Sequence, residues 1–294
     1  MVDEILFTPM PKNSSLPSVV WLHGRLVPDV EAVISVHDRS FLYGDGLFET
    51  LAVVGWRPVF ERAHLQRLER GSAFLGICSP FNFAELSEGI AALIRAMDLE
   101  SGSVRIHLSR GVGRRGYSPR GADSPKIVIT AHRGTGEKED LQQWCLVTAS
   151  FRCAPGDAIA QFKTASKLLH VLARSEAEAA GAQDALILDT NGKVLETASG
   201  SLLWIENGAL LTPPVGAGLL SGITRDAVLK LAPELGLTVV ETTANLERIH
   251  MASGVFVTLS TRGVVEISRL DQTELRTSEW TRMIWSELWK KMRL

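Results

Sequence analysis

The chain has 294 residues, a length that suits two packed domains better than one. Hydrophobic residues make up 45% and charged residues 22%, the composition of a globular protein rather than a disordered or fibrous one. The 31 Lys and Arg residues nearly balance the 33 Asp and Glu residues, and the net charge of −2 argues against a nucleic-acid or membrane-surface binder.

The N-terminus and the cysteines predict a cytoplasmic protein. The first ten residues, MVDEILFTPM, are acidic and lack the pattern of a signal peptide. No apolar run approaches the length needed to cross a bilayer. The cysteines Cys78, Cys145 and Cys153 are odd in number and lack metal-ligand spacing, so we interpret them as reduced thiols and expect no metal site.

The first half of the chain predicts helices and strands in alternation. Apolar residues recur at helical spacing over residues 63–77 and 83–97. Apolar and polar residues alternate over residues 104–108, which is the pattern of a half-buried strand, and a second strand is predicted over residues 126–130.

A polar, glycine-containing segment then predicts a domain boundary. Domain boundaries favour solvated and flexible stretches, and we expect a linker over residues 133–140. It separates a small α/β domain over residues 1–132 from a larger domain over residues 141–294.

The second half predicts helices around an antiparallel meander. Helices are predicted over residues 164–181, 221–237 and 278–294. Between the first two lie two hairpin patterns, residues 185–196 and 201–214, each with an Asn-Gly turn between apolar strands. The fold class is therefore mixed α/β, with substantial antiparallel sheet.

A candidate anion site precedes one of these helices. Ser221 and Gly222 end a loop, and Ile223 and Thr224 open the helix. The free backbone N–H groups of a helix start, the Thr224 hydroxyl and the helix dipole together suit a phosphate group. An ordinary helix cap is the alternative interpretation.

Three charged residues lie in sequence contexts that suit a catalytic or ligand-binding role, although residues of these types more often lie at the protein surface. Arg110 opens the segment RGVGRRGYSPRG, whose guanidinium groups suit bidentate binding of a carboxylate. Lys163 lies among apolar and uncharged residues, where a desolvated amine can form a Schiff base, and Lys167 is its rival. Glu196 ends a predicted strand and suits pairing with a cationic ring nitrogen.

Motifs along most of the chain together resemble one enzyme family. They are HDRSFLYGDGLFET from residue 37, HLQRL from residue 64, SRGVGRRGYS from residue 109, KTASKLLHVLARSEA from residue 163, DALILDTNGKVLE from residue 184, SGITRDAV from residue 221, GVFVTLST from residue 254 and VEISRLD from residue 265. In this order they resemble the class IV, or fold type IV, pyridoxal-phosphate enzymes. That family contains branched-chain aminotransferases, D-amino acid aminotransferases and 4-amino-4-deoxychorismate lyases.

The resemblance implies pyridoxal 5'-phosphate as the cofactor and assigns roles to residues. Lys163, rather than Lys167, matches the lysine that bonds to the cofactor, and Glu196 matches the acid that pairs with its pyridine nitrogen. The residues implied to contact the phosphate are Arg67, Ile223 and Thr224. Ser260 and Thr261 are implied to contact either the phosphate or the substrate carboxylate. Tyr43 is implied to face the active site, and Arg110 resembles the substrate-carboxylate arginine of the D-amino acid branch.

The resemblance also implies a fold and an activity. The fold is a small N-terminal α/β domain and a larger C-terminal domain with a barrel-like antiparallel sheet, with the cofactor between them, in a homodimer. The segment SRGVGRRGYS favours an aminodeoxychorismate lyase, which gives 4-aminobenzoate and pyruvate in folate synthesis. The alternatives are an aminotransferase for D-amino acids, branched-chain amino acids or amines with a 2-oxo acid acceptor, and a binding protein without turnover. The retained cofactor residues disfavour the last.

Overall fold

The computed structural model of the chain describes residues 18–134 and 140–293. The N-terminal segment without a signal-peptide pattern, and residues 135–139 of the predicted linker, lie outside the described residues. Within the described ranges, no helix combines the length and the apolar character that a membrane span requires.

The secondary structure follows the predicted alternation of helices and strands. The described helices are α1 (Arg39–Tyr43), α2 (Glu61–Leu75), α3 (Phe83–Ala96), α4 (Leu168–Ala179), α5 (Ile223–Leu231), α6 (Leu246–Met251) and α7 (Glu279–Arg293). The described strands are β1 (Val19–Leu22), β2 (Arg25–Pro28), β3 (Gly46–Val54), β4 (Arg57–Pro58), β5 (Ser101–Ser109), β6 (Lys126–Arg133), β7 (Gln142–Cys153), β8 (Asp184–Asp189), β9 (Val194–Thr197), β10 (Ser201–Glu206), β11 (Ala209–Thr212), β12 (Thr238–Glu241), β13 (Gly254–Leu259), β14 (Gly263–Leu270) and β15 (Thr273–Glu274).

The N-terminal sheet has six strands in the order β2-β1-β6-β5-β3-β4, and all pairs are antiparallel. Alternation on β5 sends Val104, Ile106 and Leu108 to one face, where they join the core formed with α2 and α3. Helix α3 begins with a capping box between Asn82 and Glu85, which satisfies backbone N–H groups at the helix start. The opposite face of β5 carries Arg105 and His107, which are only half-buried.

The C-terminal sheet closes into a barrel-like ring of six strands. The chain of pairings β10-β13-β14-β7-β8-β9 is completed by the pair between β9 and β10. Both predicted hairpins are present, as β8–β9 and β10–β11, and Asn207 and Gly208 take the positive φ values that a tight hairpin turn requires. The sheet is mixed rather than wholly antiparallel, because β7 pairs in parallel with β8 and β14. Helix α4 connects β7 to β8 and supplies the crossover that a parallel pair needs.

Strand β3 joins the small domain to the segment that carries Lys163. The Phe48 N–H donates to the Lys163 carbonyl at 2.9 Å, and the Ala165 N–H donates to the Gly46 carbonyl at 2.9 Å. These bonds hold residues 163–165 in an extended conformation, so the helix predicted from residue 164 begins at Leu168 instead. Lys163 therefore lies on a short strand-like segment whose backbone is fixed by the neighbouring domain.

Candidate active site

A cavity of about 640 Å³ contains most of the predicted site residues. The predicted residues that line it are Arg67, Lys163, Glu196, Ile223, Thr224 and Ser260. They come from α2, from the extended segment before α4, from β9, from α5 and from the loop after β13. The fold thus brings together side chains that are as much as 193 positions apart in the sequence (Arg67 to Ser260).

The Lys163 side chain lies half-buried in this cavity, and its pKa is altered. Its Nζ atom lies 4.6 Å from the centroid of the Phe48 ring. Burial, aided by the positive charge of Arg67, lowers the pKa of Lys163 to about 8. This amine therefore loses its proton more readily than an exposed lysine, and the neutral form is the one that attacks a carbonyl carbon.

Arg67 is held by a buried carboxylate on the adjacent strand. Its Nε and Nη2 atoms donate to the two carboxylate oxygens of Glu49 at 2.8 and 2.7 Å. The His64 Nδ1–H donates to the same carboxylate at 2.7 Å. The remaining Arg67 nitrogen, Nη1, donates to the Ser221 carbonyl at 2.6 Å, which ties α2 to the start of α5. Arg67 is therefore fixed in position beside the candidate anion site.

Replacing Glu49 by glutamine is expected to lower the free energy of unfolding by about 3–5 kcal/mol at pH 7, because Arg67 and His64 lose a buried anionic partner. Burial alone would raise the pKa of Glu49, but hydrogen bonds from Arg67 and His64 outweigh it and lower this pKa to about 2. The carboxylate therefore contributes its full stability above its ordinary pKa of 4.5 and loses it as the pH falls towards 2.

Urea unfolding between pH 7 and pH 3 measures this effect. The difference between wild type and Glu49→Gln should shrink as the pH falls, whereas Glu69→Gln, an exposed change on the same helix, should leave the unfolding free energy unaltered. Equal stability of Glu49→Gln and wild type at pH 7 would show that Glu49 does not hold Arg67.

The start of α5 provides an anion site with an unused hydroxyl. Gly222 precedes the helix and gives no side-chain cap, so the first N–H groups of α5 have no capping side chain from this position. The Thr224 Oγ1 atom is buried and has no hydrogen-bond partner among the described residues. A Cβ atom on Gly222 would come within 2.5 Å of the Ser201 hydroxyl, so any larger residue there would require the Ser201 side chain to move. The backbone and hydroxyl donors are thus available to a phosphate group.

Glu196 presents a carboxylate to the same cavity from β9. Its Oε2 atom accepts a hydrogen bond from the Leu220 N–H at 3.1 Å. Its Oε1 atom lies 3.6 Å from the Nε2 atom of His170 on α4, and its side chain is only 13% exposed. These contacts fix the carboxylate beside the cavity, where it suits a cationic ring nitrogen.

Three predicted site residues lie outside the lining of this cavity. Arg110 donates to Asp45 at 2.8 Å and to the carbonyls of Leu75 and Gly76 at 2.7 and 3.1 Å. All three guanidinium nitrogens are engaged within the small domain, so the position of Arg110 does not support the predicted contact with a substrate carboxylate.

Tyr43 and Thr261 are the other two predicted site residues outside the lining of the main cavity. The Tyr43 hydroxyl accepts a hydrogen bond from the Gly116 N–H at 3.3 Å, and its ring contacts Tyr117. Thr261 lines a separate cavity of about 280 Å³ between the two domains, although its neighbour Ser260 lines the main one. Their roles towards substrate or phosphate stay predictions.

Several residues at the site were not assigned a role from the sequence. Phe48 and His170 line the cavity, and Glu49 orients Arg67. The spacing of His170, three positions after Lys167 on a helix, would have placed both on one face. The pairing of Glu49 with Arg67 had no comparable local signal.

The chain is similar to known proteins over most of its length. The family model for amino-transferase class IV matches residues 46–270. The branched-chain-amino-acid aminotransferase of Escherichia coli K12 is 30% identical over 261 residues, which cover 86% of this chain and 84% of that protein. A solved branched-chain amino acid aminotransferase of Escherichia coli superposes with a TM-score of 0.88 at 27% identity, over 94% of this chain and 95% of that one.

Two further solved structures are similar over nearly the whole chain. The branched-chain aminotransferase from the thermophilic archaeon Thermoproteus uzoniensis, solved with norvaline, has a TM-score of 0.87 at 27% identity, over 93% of this chain and 94% of that one. The 4-amino-4-deoxychorismate lyase from Pseudomonas aeruginosa has a TM-score of 0.82 at 30% identity, over 94% of this chain and 100% of that one. Both activities named in these structures are therefore represented among proteins of this fold.

Proposed function

The chain belongs to the class IV aminotransferase family of pyridoxal-phosphate-dependent enzymes, and we propose that it transfers an amino group from an amino acid to a 2-oxo acid. The observation that carries this proposal is the position of the Lys163 amine in the cavity, where its pKa is lowered to about 8. The similarity to branched-chain aminotransferases in sequence and fold supports it.

The residues of the cavity fit this cofactor. The unpartnered Thr224 hydroxyl and the start of α5 would hold the phosphate, and Arg67 adds positive charge beside them. Glu196 would accept a hydrogen bond from the pyridine N–H, and Lys163 would form the covalent bond. When bound, pyridoxal phosphate supplies an aldehyde that condenses with amines and a ring that withdraws electrons from the substrate Cα.

Lys163 would then act as the acid and base of amino transfer. In its neutral form the amine would accept the proton held at the substrate Cα, and in its charged form it would hold a proton ready to donate. A pKa of about 8 suits both steps, because each form is populated near neutral pH. The backbone bonds from β3 keep the segment around Lys163 fixed.

Aminodeoxychorismate lyase is the second candidate function. The lyase from Pseudomonas aeruginosa is 30% identical, slightly more than the solved branched-chain aminotransferases above. Removal of the Cα proton by Lys163 would serve this reaction equally well. The two functions differ in the bond that breaks afterwards, since the lyase releases pyruvate and leaves 4-aminobenzoate.

A two-arm assay on one preparation of holoenzyme separates them. One arm follows the absorbance of the bound cofactor with D- and L-amino acids, and we expect a shift to the pyridoxamine form that a 2-oxo acid reverses. The other arm detects 4-aminobenzoate by fluorescence after aminodeoxychorismate is supplied. Release of 4-aminobenzoate without an amino-acid-dependent shift in absorbance would show that the protein is an aminodeoxychorismate lyase and not an aminotransferase.

A homodimer is part of the same proposal. Large apolar side chains are exposed on the segment before β3. They include Val33 at 74%, Val36 at 66% and Phe41 at 72%. Contiguous exposed apolar side chains are typical of association surfaces. We propose that a second copy of the chain covers this surface.

A further inference from the structure

His170 places an imidazole beside the carboxylate of Glu196. It lies in the first turn of α4, a few residues after the extended segment with Lys163, and its side chain lines the main cavity. Its Nε2 atom lies 3.6 Å from the Oε1 atom of Glu196, which is just beyond hydrogen-bond distance and too close for an intervening water molecule. The side chains of His170 and Glu196 are 25% and 13% exposed. The imidazole and the carboxylate therefore face each other directly.

The other imidazole nitrogen indicates where the proton of His170 lies. The Nδ1 atom is buried and has no hydrogen-bond partner among the residues that the structure describes. A neutral imidazole has one N–H donor and one acceptor nitrogen. With the proton on Nδ1, a buried donor would have no acceptor, and the lone pair of Nε2 would face a carboxylate oxygen. The geometry therefore favours the form whose Nε2–H points at Glu196.

The Oε1 atom of Glu196 depends on this contact. The Oε2 atom accepts the hydrogen bond from the Leu220 N–H at 3.1 Å, and within residues 18–134 and 140–293 no other hydrogen bond or ion pair reaches Oε1. Lys163 and Lys167 line the same cavity, but neither forms an ion pair with Glu196 in this part of the chain. The torsion at the end of a glutamate side chain is broad, so one hydrogen bond leaves the carboxylate free to turn. A second contact, from His170, would fix its plane.

A neutral imidazole suits a carboxylate that must keep its charge. Glu196 is proposed to accept a hydrogen bond from the pyridine N–H, and its negative charge would keep that nitrogen protonated. A lysine or arginine in contact with Glu196 would compete for this charge, whereas a neutral N–H orients the carboxylate and leaves the charge in place. Because α4 follows the segment that is hydrogen-bonded to β3, the donor is carried by a fixed element of the fold.

We propose that His170 is a positioning residue for Glu196, whose Nε2–H sets the orientation of the carboxylate that faces the pyridine nitrogen. This inference rests on the proposed function, because it concerns the group that Glu196 is proposed to bind. His170 then acts only through Glu196. A residue that contacted the cofactor or the substrate itself would keep its effect after Glu196 is replaced.

Two replacements of His170 separate the Nε2–H from the rest of the side chain. The amide nitrogen of glutamine extends about as far as Nε2, whereas that of the shorter asparagine extends only to about Nδ1. In holoenzyme at pH 8, His170→Asn should alter the absorbance spectrum of the cofactor and lower kcat about 10-fold, the lower end of the range for one hydrogen bond to a charged group. His170→Gln should recover most of both properties. His132→Asn, an exposed change on β6, should match the wild type.

A double-mutant cycle tests whether the effect passes through the carboxylate. His170→Asn should cause no further change in spectrum or kcat when it is added to Glu196→Gln, because the group on which it acts is then absent. Additive effects of the two changes would overturn the inference, and so would a wild-type spectrum and kcat in His170→Asn. Circular dichroism checks that each variant is folded. If His170→Asn is not, His170→Phe takes its place in the cycle, since it keeps a ring without an N–H.

The spectrum of the bound cofactor is measured without turnover. If wild-type holoenzyme transfers no amino group in the two-arm assay, but its spectrum changes in His170→Asn and is restored in His170→Gln, the proposed function fails and the inference stands. If amino transfer occurs and His170→Asn keeps the spectrum and kcat of the wild type, only the inference fails.

Discussion

Replacing Lys163 by alanine is expected to reduce kcat by at least about 100- to 10,000-fold, the range attributed to a single acid–base group. The true loss should be larger, because the same side chain would also form the covalent bond to the cofactor. The environment that lowers the pKa of Lys163 to about 8 belongs to this cavity, so an exposed lysine would not reproduce it.

Borohydride reduction followed by mass spectrometry gives a readout that does not depend on turnover. Reduction should attach the cofactor permanently to wild-type protein and to Lys230→Ala, an exposed lysine change on α5, but not to Lys163→Ala. Lys167 lines the same cavity and is the alternative attachment site. Covalent attachment that persists in Lys163→Ala and disappears in Lys167→Ala would move the role to Lys167.

The pH dependence of cofactor attachment tests the environment of Lys163 directly. Since the neutral amine is the nucleophile, the rate at which the cofactor-free protein reacts with pyridoxal phosphate should rise with pH and level off above a midpoint near 8. An exposed lysine with its ordinary pKa of 10.5 would show a rate that still rises beyond about pH 9.

Local patterns predicted most of the architecture, because the features that decide it lie close together in the sequence. The Asn-Gly turns between apolar runs predicted the hairpins β8–β9 and β10–β11. The Ser-Gly-Ile-Thr segment predicted the start of α5, and the structure adds that the Thr224 hydroxyl has no partner among the described residues. The parallel pairings of β7 lacked such a signal, since they join strands that are distant along the chain.

The segment around Arg110 shows how little local patterns say about the surroundings of a site residue. Arg105 and Arg110 are five positions apart on one strand and its end, and the glycine-rich context drew attention to Arg110. The two arginines differ in their pairing with Asp45, which lies 65 positions from Arg110 in the sequence. Asp45 pairs with Arg110, whereas Arg105 has no anionic partner among the described residues. Strand alternation would have placed Arg105 on the face opposite the core, but only the structure brings Phe48 beneath it.

Glu196→Gln is expected to lower kcat about 100- to 1,000-fold, the size of effect that follows the loss of one preorganised electrostatic contact. The carboxylate of Glu196 would keep a proton on the pyridine nitrogen, and an amide carries no negative charge to do so. Because Thr224 and the start of α5 are proposed to hold the phosphate independently of Glu196, we expect the variant to retain the cofactor.

The experiment compares kcat, cofactor content and the absorbance spectrum of Glu196→Gln with those of Glu247→Gln, an exposed change on α6. We expect Glu196→Gln to bind a full complement of cofactor, with an altered absorbance spectrum and slow turnover. Glu247→Gln should behave like the wild type. Loss of cofactor with an unchanged kcat per bound molecule would mean that Glu196 serves only to hold Leu220 and His170 in place. The charge of Glu196, rather than its shape, is what the proposed chemistry requires, so Glu196→Asp should recover more activity than Glu196→Gln despite the shorter side chain.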